Sequence, residues 1–151
     1  MVKKILVAMD SFTDSSHRVY DQATTLAEAT QAQLRFLHVV SIEAQNPTRK
    51  KVGAVTIRTP FEEPDRSLWK RFEERCLRYL KAYADRAKNA GFTVDYKQIR
   101  GIPQEAICEV AHQWDADILI LGYAKPDAIQ KLSHYVLRQA PCPVLFVKTA
   151  A

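Results

Sequence analysis

The residues that end predicted buried strands are the first candidates for chemistry in this chain of 151 residues. Asp10 directly follows the apolar run 5–9, Val39 lies near the end of a second run, and Gly122 closes a third run at 118–121. In an open parallel sheet, ligands bind at the carboxyl ends of the strands. A carboxylate there can be a nucleophile, a metal ligand or a ribose acceptor. It can equally cap the turn that follows it, so both roles remain open for Asp10.

Motifs for nucleophilic, metal and nucleotide chemistry are absent from the sequence. A phosphoryl-accepting aspartate of the haloacid-dehalogenase type needs a second Asp two positions on, where this chain has Phe12. There is no Gly-x-Ser-x-Gly, no Gly-x-Gly-x-x-Gly and no Walker A run. The four histidines have no metal-ligand spacing, and His38 is expected to pack in the core or at its rim. The sequence therefore predicts no catalytic constellation, no metal site and no enzyme.

Composition and charge favour a single soluble domain spanning residues 1–151. Apolar residues make up 47% of the chain and charged residues 26%, both typical of globular proteins. The longest apolar runs are about five residues, far below the roughly 20 that cross a membrane. The three cysteines are odd in number and fit no CxxC or zinc pattern, so we expect reduced thiols and a cytoplasmic protein with no membrane partner. Cys76 and Cys108 are expected to be buried on helices.

The net charge of +5 raises the question of a nucleic-acid partner. Solubility explains so mild an excess equally well. Aromatic residues that alternate with lysine or arginine, and on which nucleobases could stack, would favour nucleic acid. Trp69 and Phe72 fall instead on a predicted apolar helix stripe. Nucleic acid is therefore not the expected partner.

Strand and helix patterns alternate along the chain. Apolar or alternating runs predict five strands, at residues 5–9, 34–40, 92–96, 118–121 and 144–147. Apolar positions three and four apart predict helices between them, one ended by Gly91 and another opened by Pro103. Such alternation implies a parallel α/β sheet with helices on both faces. The third strand alternates polar and apolar residues, as an edge strand does.

Residues 41 to 64 form the one stretch without a clear period. Three prolines and the basic run Arg49–Lys51 punctuate it. We interpret it as a long surface loop that trypsin should cut first.

Five segments in order make the chain resemble the universal stress protein family. They are residues 3–11, 37–40, 101–107, 115–122 and 140–147, which together span essentially the whole chain. The resemblance implies a Rossmann-like, five-stranded parallel sheet with strand order 3-2-1-4-5, of the adenine nucleotide alpha hydrolase-like type. It also implies a regulatory or protective role in the stress response.

One branch of this family binds ATP through Gly-x2-Gly-x9-Gly-Ser/Thr after the fourth strand. Here only Gly122 is kept, Lys125 replaces the second glycine, and Tyr135-Val136 replaces the Gly-Ser pair. The segment is also several residues shorter. The chain therefore looks more like the UspA-like branch that lacks the glycine motif, and we expect no cofactor.

The adenosine half of the site is better kept than its phosphate half. Asp10 and Val39 match the family positions that meet ribose and adenine. The alternative is therefore an ATP-binding stress protein with a degenerate phosphate loop, holding nucleotide through Asp10, Val39 and Gly122. Lys125 and Lys131 would then attract phosphate as point charges.

The last strand is expected to form a homodimer. Its residues are apolar on both faces, although strand order 3-2-1-4-5 places it at an edge: Val144, Leu145, Phe146 and Val147. Native proteins cover or pair such edges, and many members of the family pair this strand with its copy. We expect the protein to act through this dimer and through a partner protein of unknown identity.

Overall fold

The computed structural model describes residues 1–9, 16–41, 49–52, 55–58, 66–123 and 126–149. Its strands are β1 (Lys4–Ala8), β2 (Gln33–Ser41), β3 (Arg49–Val52), β4 (Val55–Arg58), β5 (Val94–Gly101), β6 (Ile118–Tyr123) and β7 (Val144–Lys148). Its helices are α1 (Ser16–Thr30), α2 (Arg66–Asn89), α3 (Pro103–Gln113) and α4 (Pro126–Gln139).

Five strands form one parallel sheet in the order β5-β2-β1-β6-β7. Numbered along the main sheet alone, this is the predicted order 3-2-1-4-5, which is confirmed. The central strand β1 reads as a continuous apolar run because helices cover both of its faces, and Ile5, Leu6 and Val7 are fully buried.

Two apolar clusters hold the helices against the two faces of the sheet. The first joins α1 and α2 to the sheet, and its largest fully buried members are Ile5, Leu34, Phe36, Leu80 and Ile120. The second lies under α3 and α4, and its buried members include Leu6, Leu37, Ile107, Leu119 and Val136. Alternate residues of each strand enter opposite clusters, which is the expected period of two.

The predicted helix boundaries follow local backbone chemistry. Gly91 has φ +98°, the left-handed conformation that lets the chain leave α2. Pro103 opens α3, where a missing N–H costs no hydrogen bond. Both signals were predicted correctly.

The loop predicted from Ser41 to Pro64 contains regular structure, so that prediction was wrong in part. β2 extends to Ser41, and β3 pairs with β4 as an antiparallel hairpin. The β-branched residues of β4 favour a strand, and only Gly53 and Ala54 separate the two strands in sequence. Residues 42–48, 53–54 and 59–65 lie outside the described part of the chain, and so does their predicted mobility.

Two aromatic side chains at apolar positions of the sequence pattern are substantially exposed. Phe72 of α2 is 38% exposed and Tyr96 of β5 is 40% exposed. Phe72 lies beside the buried stripe of Cys76 and Leu80 rather than at its centre, and Tyr96 belongs to an edge strand. Position at a margin therefore outweighs apolar character at both places.

Candidate functional site

The candidate site lies where β1, β2 and β6 end side by side. Ala8 of β1 pairs in register with Leu37 of β2 and with Leu121 of β6. The Met9 N–H donates to the Leu37 carbonyl at 2.8 Å, so pairing continues to the last described residue of this strand end. Val39 and Gly122 follow these partners and flank the end of β1. Asp10 lies outside the described residues.

Val39 forms an apolar wall on one side of this site. It is half-buried and packs against the cluster under α3 and α4. Its partner across the sheet is Ile99 of β5. A residue placed in this way can offer a methyl surface to a flat ring, and it contributes to the core with or without a ligand.

Gly122 has a packing role that needs no nucleotide. A Cβ atom at this position would lie 2.6 Å from Val19 Cγ2 and 3.1 Å from Thr149 Cγ2. Val19 is a buried residue of α1 that packs over the sheet. The close approach of α1 to the end of β6 therefore requires glycine here, so the kept glycine is not by itself a sign of a phosphate loop.

The connection from β6 to α4 leaves little chain for a phosphate-binding loop. Only Ala124 and Lys125 separate the strand from Pro126, which opens the helix. Tyr135 and Val136, which replace the Gly-Ser pair, lie within α4. Val136 is fully buried, and burial raises the pKa of Tyr135.

The two positions that the resemblance assigns to phosphate binding, Tyr135 and Val136, are thus used here to pack α4 on the sheet. The side chains of Lys125 and Lys131, which the sequence offers as phosphate contacts, lie outside the described part of the chain.

His38 is part of a structural network rather than a ligand site. It is 3% exposed, and its Nδ1 accepts a hydrogen bond of 3.0 Å from Gln98 Nε2. The same amide nitrogen donates to the Glu73 carbonyl of α2 at 3.1 Å. Arg100 forms a charge-assisted bond of 2.8 Å to the Glu73 carboxylate. Together these contacts tie β2, β5 and α2, which confirms His38 as a packed histidine.

The thiols are structural as well. Cys76 and Cys108 are buried as predicted, Cys142 is half-buried, and all three are free. Burial raises the pKa of each of these thiols. A protonated, buried thiol is a poor nucleophile.

The opposite end of the sheet carries several polar contacts among the described residues, and sequence reasoning missed them. Asp117 Oδ2 accepts the backbone N–H groups of Lys3 at 2.8 Å and Lys4 at 2.9 Å, which lowers its pKa. Arg35 makes two bonds of 2.8 and 2.9 Å to Asp95 and lies over the Trp114 ring at 4.6 Å. An acid immediately before a buried strand was the available signal for Asp117. These contacts fix the start of the strands, away from the candidate site.

The family model of the universal stress proteins matches residues 1–148. The chain belongs to the universal stress protein family. Among curated members it is 22% identical over 150 residues to the universal stress protein Sll1388 of Synechocystis, covering 96% of this chain and 97% of that protein.

Solved universal stress proteins share this fold. UspA from Lactobacillus plantarum superimposes with a TM-score of 0.72 at 20% identity, over 97% of this chain and 98% of that one. The universal stress protein from Archaeoglobus fulgidus, solved in complex with dAMP, gives a TM-score of 0.65 at 18% identity. That match covers 98% of this chain and 100% of the other.

The described residues contain neither a cluster of metal ligands nor a membrane-spanning helix. No three His, Cys, Asp or Glu side chains among them gather closely enough to hold a metal ion. Within the same ranges, no helix combines the length and apolar character needed to cross a bilayer.

Proposed function

We propose that this universal stress protein acts without catalysis, as a homodimer joined through β7 that regulates or protects through a partner protein in the cytoplasm. The observation that carries the dimer is the character of β7. Among the described residues β7 pairs with β6 alone, so its other side is an open edge. Its residues 144–147 are all apolar, and Leu145 is 37% exposed while the other three are half-buried. An apolar edge strand favours pairing with another strand.

A copy of β7 is the occupant best suited to this edge. Two-fold symmetry needs a patch that is complementary to itself, and an edge strand meets that condition when it pairs antiparallel with its copy. β7 brings a single charged residue, Lys148, at its end. Like charges therefore do not oppose one another along the middle of the paired strands.

The non-catalytic part of the proposal rests on how the chemistry-bearing residues are used. His38 is held by Gln98, and the buried thiols remain protonated. These groups serve packing and strand alignment, which supports a role in binding rather than in reaction.

Light scattering at micromolar concentration tests the dimer. We expect twice the chain mass of 17.2 kDa for the wild type, and monomeric or insoluble protein for Leu145→Lys. Tyr96→Lys is the matched control, because Tyr96 has similar exposure on the opposite edge strand, β5. It should remain dimeric. A wild-type monomer, or a dimer unchanged by Leu145→Lys, would reject the interface.

The second candidate function is adenine-nucleotide binding. The complex of the Archaeoglobus fulgidus protein with dAMP favours it, because that ligand carries a single phosphate and asks less of a phosphate loop. In this chain Val39 and Asp10 would meet the adenosine. The crowding at Gly122 and the short connection to α4 argue against tight triphosphate binding.

Isothermal titration with ATP and magnesium, and separately with AMP, separates the two candidates. We expect weak or absent ATP binding. A dissociation constant in the low micromolar range, about −8 kcal/mol, would overturn the expectation of no cofactor. Where binding occurs, Asp10→Ala should weaken it more than Lys81→Ala, which changes an exposed residue of α2.

A further inference from the structure

The excess positive charge of the chain lies in one helix. α2 contains eight Lys and Arg residues against three acidic residues, a net charge of +5 that equals that of the whole chain. The remaining residues carry 14 bases and 14 acids. Of the acids in α2, Glu73 is already bound to Arg100, which leaves Glu74 and Asp85. The charge is therefore localised on α2 rather than spread over the surface.

Three arginines of α2 form a ridge on its outer side. Arg71, Arg75 and Arg78 are all exposed, and their spacing of four and three residues places them on one face over about 10 Å. Among the described residues no acidic side chain forms an ion pair with them. Arg35 and Arg100, in contrast, are both bound to carboxylates.

Two exposed aromatic rings lie beside this ridge. Phe72 is 38% exposed and Tyr79, seven residues on, is 48% exposed. The Phe72 ring meets the Trp69 ring edge-on, with centroids 5.9 Å apart and planes at 86°, which restricts its orientation. Aromatic residues that alternate with arginine or lysine form the pattern that favours nucleic acid. Because these two rings are exposed beside the arginines, α2 has that pattern.

We propose that this face, which we call the α2 ridge (Arg71, Phe72, Arg75, Arg78 and Tyr79), binds single-stranded nucleic acid. Arginines that follow a phosphate backbone, together with rings on which bases stack, form the usual surface for single strands. A duplex hides the faces of its bases. A lipid surface requires a free apolar helix face, whereas that face of α2 is buried through Leu80, Ala84 and Ala87.

The α2 ridge is separate from the proposed dimer edge. α2 packs on β2 and β5, near the edge of the sheet opposite to β7. The proposal thus goes beyond the dimer, and the two can fail independently.

Fluorescence anisotropy with labelled single strands of about 20 nucleotides, oligo(dT) and oligo(rU), tests the proposal on the full chain. We expect binding that weakens from about 50 to 200 mM salt, with a log–log slope near −2 for three arginine–phosphate contacts. A duplex of the same length should bind more weakly. No binding at low salt, or equal binding of duplex, would overturn the proposal.

Two variants assign the binding to the α2 ridge. Arg71→Gln/Arg75→Gln/Arg78→Gln should weaken binding about tenfold or more and flatten the salt slope. The matched control, Lys3→Gln/Lys97→Gln/Arg138→Gln, removes the same charge from exposed residues elsewhere and should bind like the wild type. Equal losses in both triple variants would reduce the effect to net charge and overturn the assignment.

The rings need a test of their own. Tyr79→Ala should lower the affinity for oligo(dT) about fivefold and leave the salt slope unchanged, since stacking releases no counterion. Circular dichroism checks that the helix content of each variant is unchanged. A labelled poly-glutamate peptide that binds as tightly as oligo(dT) and loses affinity in the triple variant would identify an acidic protein as the partner instead, which overturns the nucleic-acid assignment.

Discussion

Each edge strand of the sheet presents N–H and C=O groups that another strand could pair with, and the two edges differ in how they meet such a strand. β5 exposes Asp95, Tyr96 and Lys97 in succession, and carboxylate–guanidinium pairs anchor the strand. β7 has apolar residues throughout, except for the lysine at its end. Charges on β5 discourage an incoming strand, whereas β7 favours one.

The two edges differ in the kind of surface that they present. β5 and its neighbour α2 present charge to the surroundings, and β7 presents an apolar strand. The dimer proposed at β7 would therefore leave the β5 edge open. Four changes to the chain break or sharpen this comparison.

Truncation of Phe146 should have the largest effect on stability. Phe146 of β7 is half-buried against the cluster under α3 and α4, so Phe146→Ala should lower the free energy of unfolding by about 2–4 kcal/mol. Tyr96→Ala on β5 should cost less than about 1 kcal/mol. Urea unfolding at one fixed protein concentration measures both. Equal costs would show that the edges are not different in packing.

Gly122→Ala should destabilise the protein by about 1–3 kcal/mol, because the new methyl group meets Val19 Cγ2. Gly122 pairs with Val147, so the change also disturbs β7. In a Val19→Ala background the cost should fall below about 1 kcal/mol. Thermal unfolding of the four proteins of this cycle gives the coupling. The same cost in both backgrounds would assign the glycine to something other than packing.

Loss of the ion pair on β5 should have a small effect. Asp95 is more than half exposed, so Asp95→Asn should cost at most about 1 kcal/mol and less at high salt. Arg35→Ala should cost more, since it also removes the contact with the Trp114 ring. Chemical unfolding at low and high salt compares the two variants. A larger loss for Asp95→Asn would show that the charge pair, not the stacking, anchors this edge.

Asp117 should give a pH effect at the interior strands β1 and β6, between the two edges. The N–H groups of Lys3 and Lys4 lower its pKa below the ordinary value of about 3.9. The ionised form therefore stabilises the fold above the unfolded-state pKa, and this contribution is lost as the pH falls through the lower folded-state pKa. Asp117→Asn should flatten the acid side of a stability–pH curve. A curve identical to that of the wild type would contradict the assigned hydrogen bonds.

Most of the sheet could be predicted because burial on two faces leaves a plain pattern. β1 and β6 are near-continuous apolar runs, and Gly91 and Pro103 mark helix ends through backbone conformation alone. The resemblance to the family supplied the strand order. Local sequence does not determine it, since the order depends on which strands pair.

The candidate site was only partly predictable. Val39 and Gly122 are brought to the same end of the sheet, because parallel strands end together. The reason for Gly122, in contrast, depends on the position of Val19 in α1, a contact between residues far apart in sequence. The hydrogen bonds between Gln98, His38 and α2 depend on strand register in the same way. Asp10 lies outside the described residues, so its role stays a prediction.

Amide hydrogen exchange compares the two edges within one molecule. On β7, Thr149 N–H donates to the Tyr123 carbonyl at 2.7 Å and therefore points toward β6. Successive residues of a strand direct their N–H groups to alternate sides, so the Phe146 N–H, three residues earlier, points away from β6. On β5, Leu34 N–H donates to the Thr93 carbonyl at 2.9 Å, and the same alternation points the Tyr96 N–H outward.

Exchange at these two outward amides tests the dimer through β7 most directly. We predict that the Phe146 amide is protected in the wild type, that the Tyr96 amide exchanges rapidly, and that Leu145→Lys removes the protection at Phe146 alone. Rapid exchange at Phe146 in the wild type, or protection that survives Leu145→Lys, would contradict the interface.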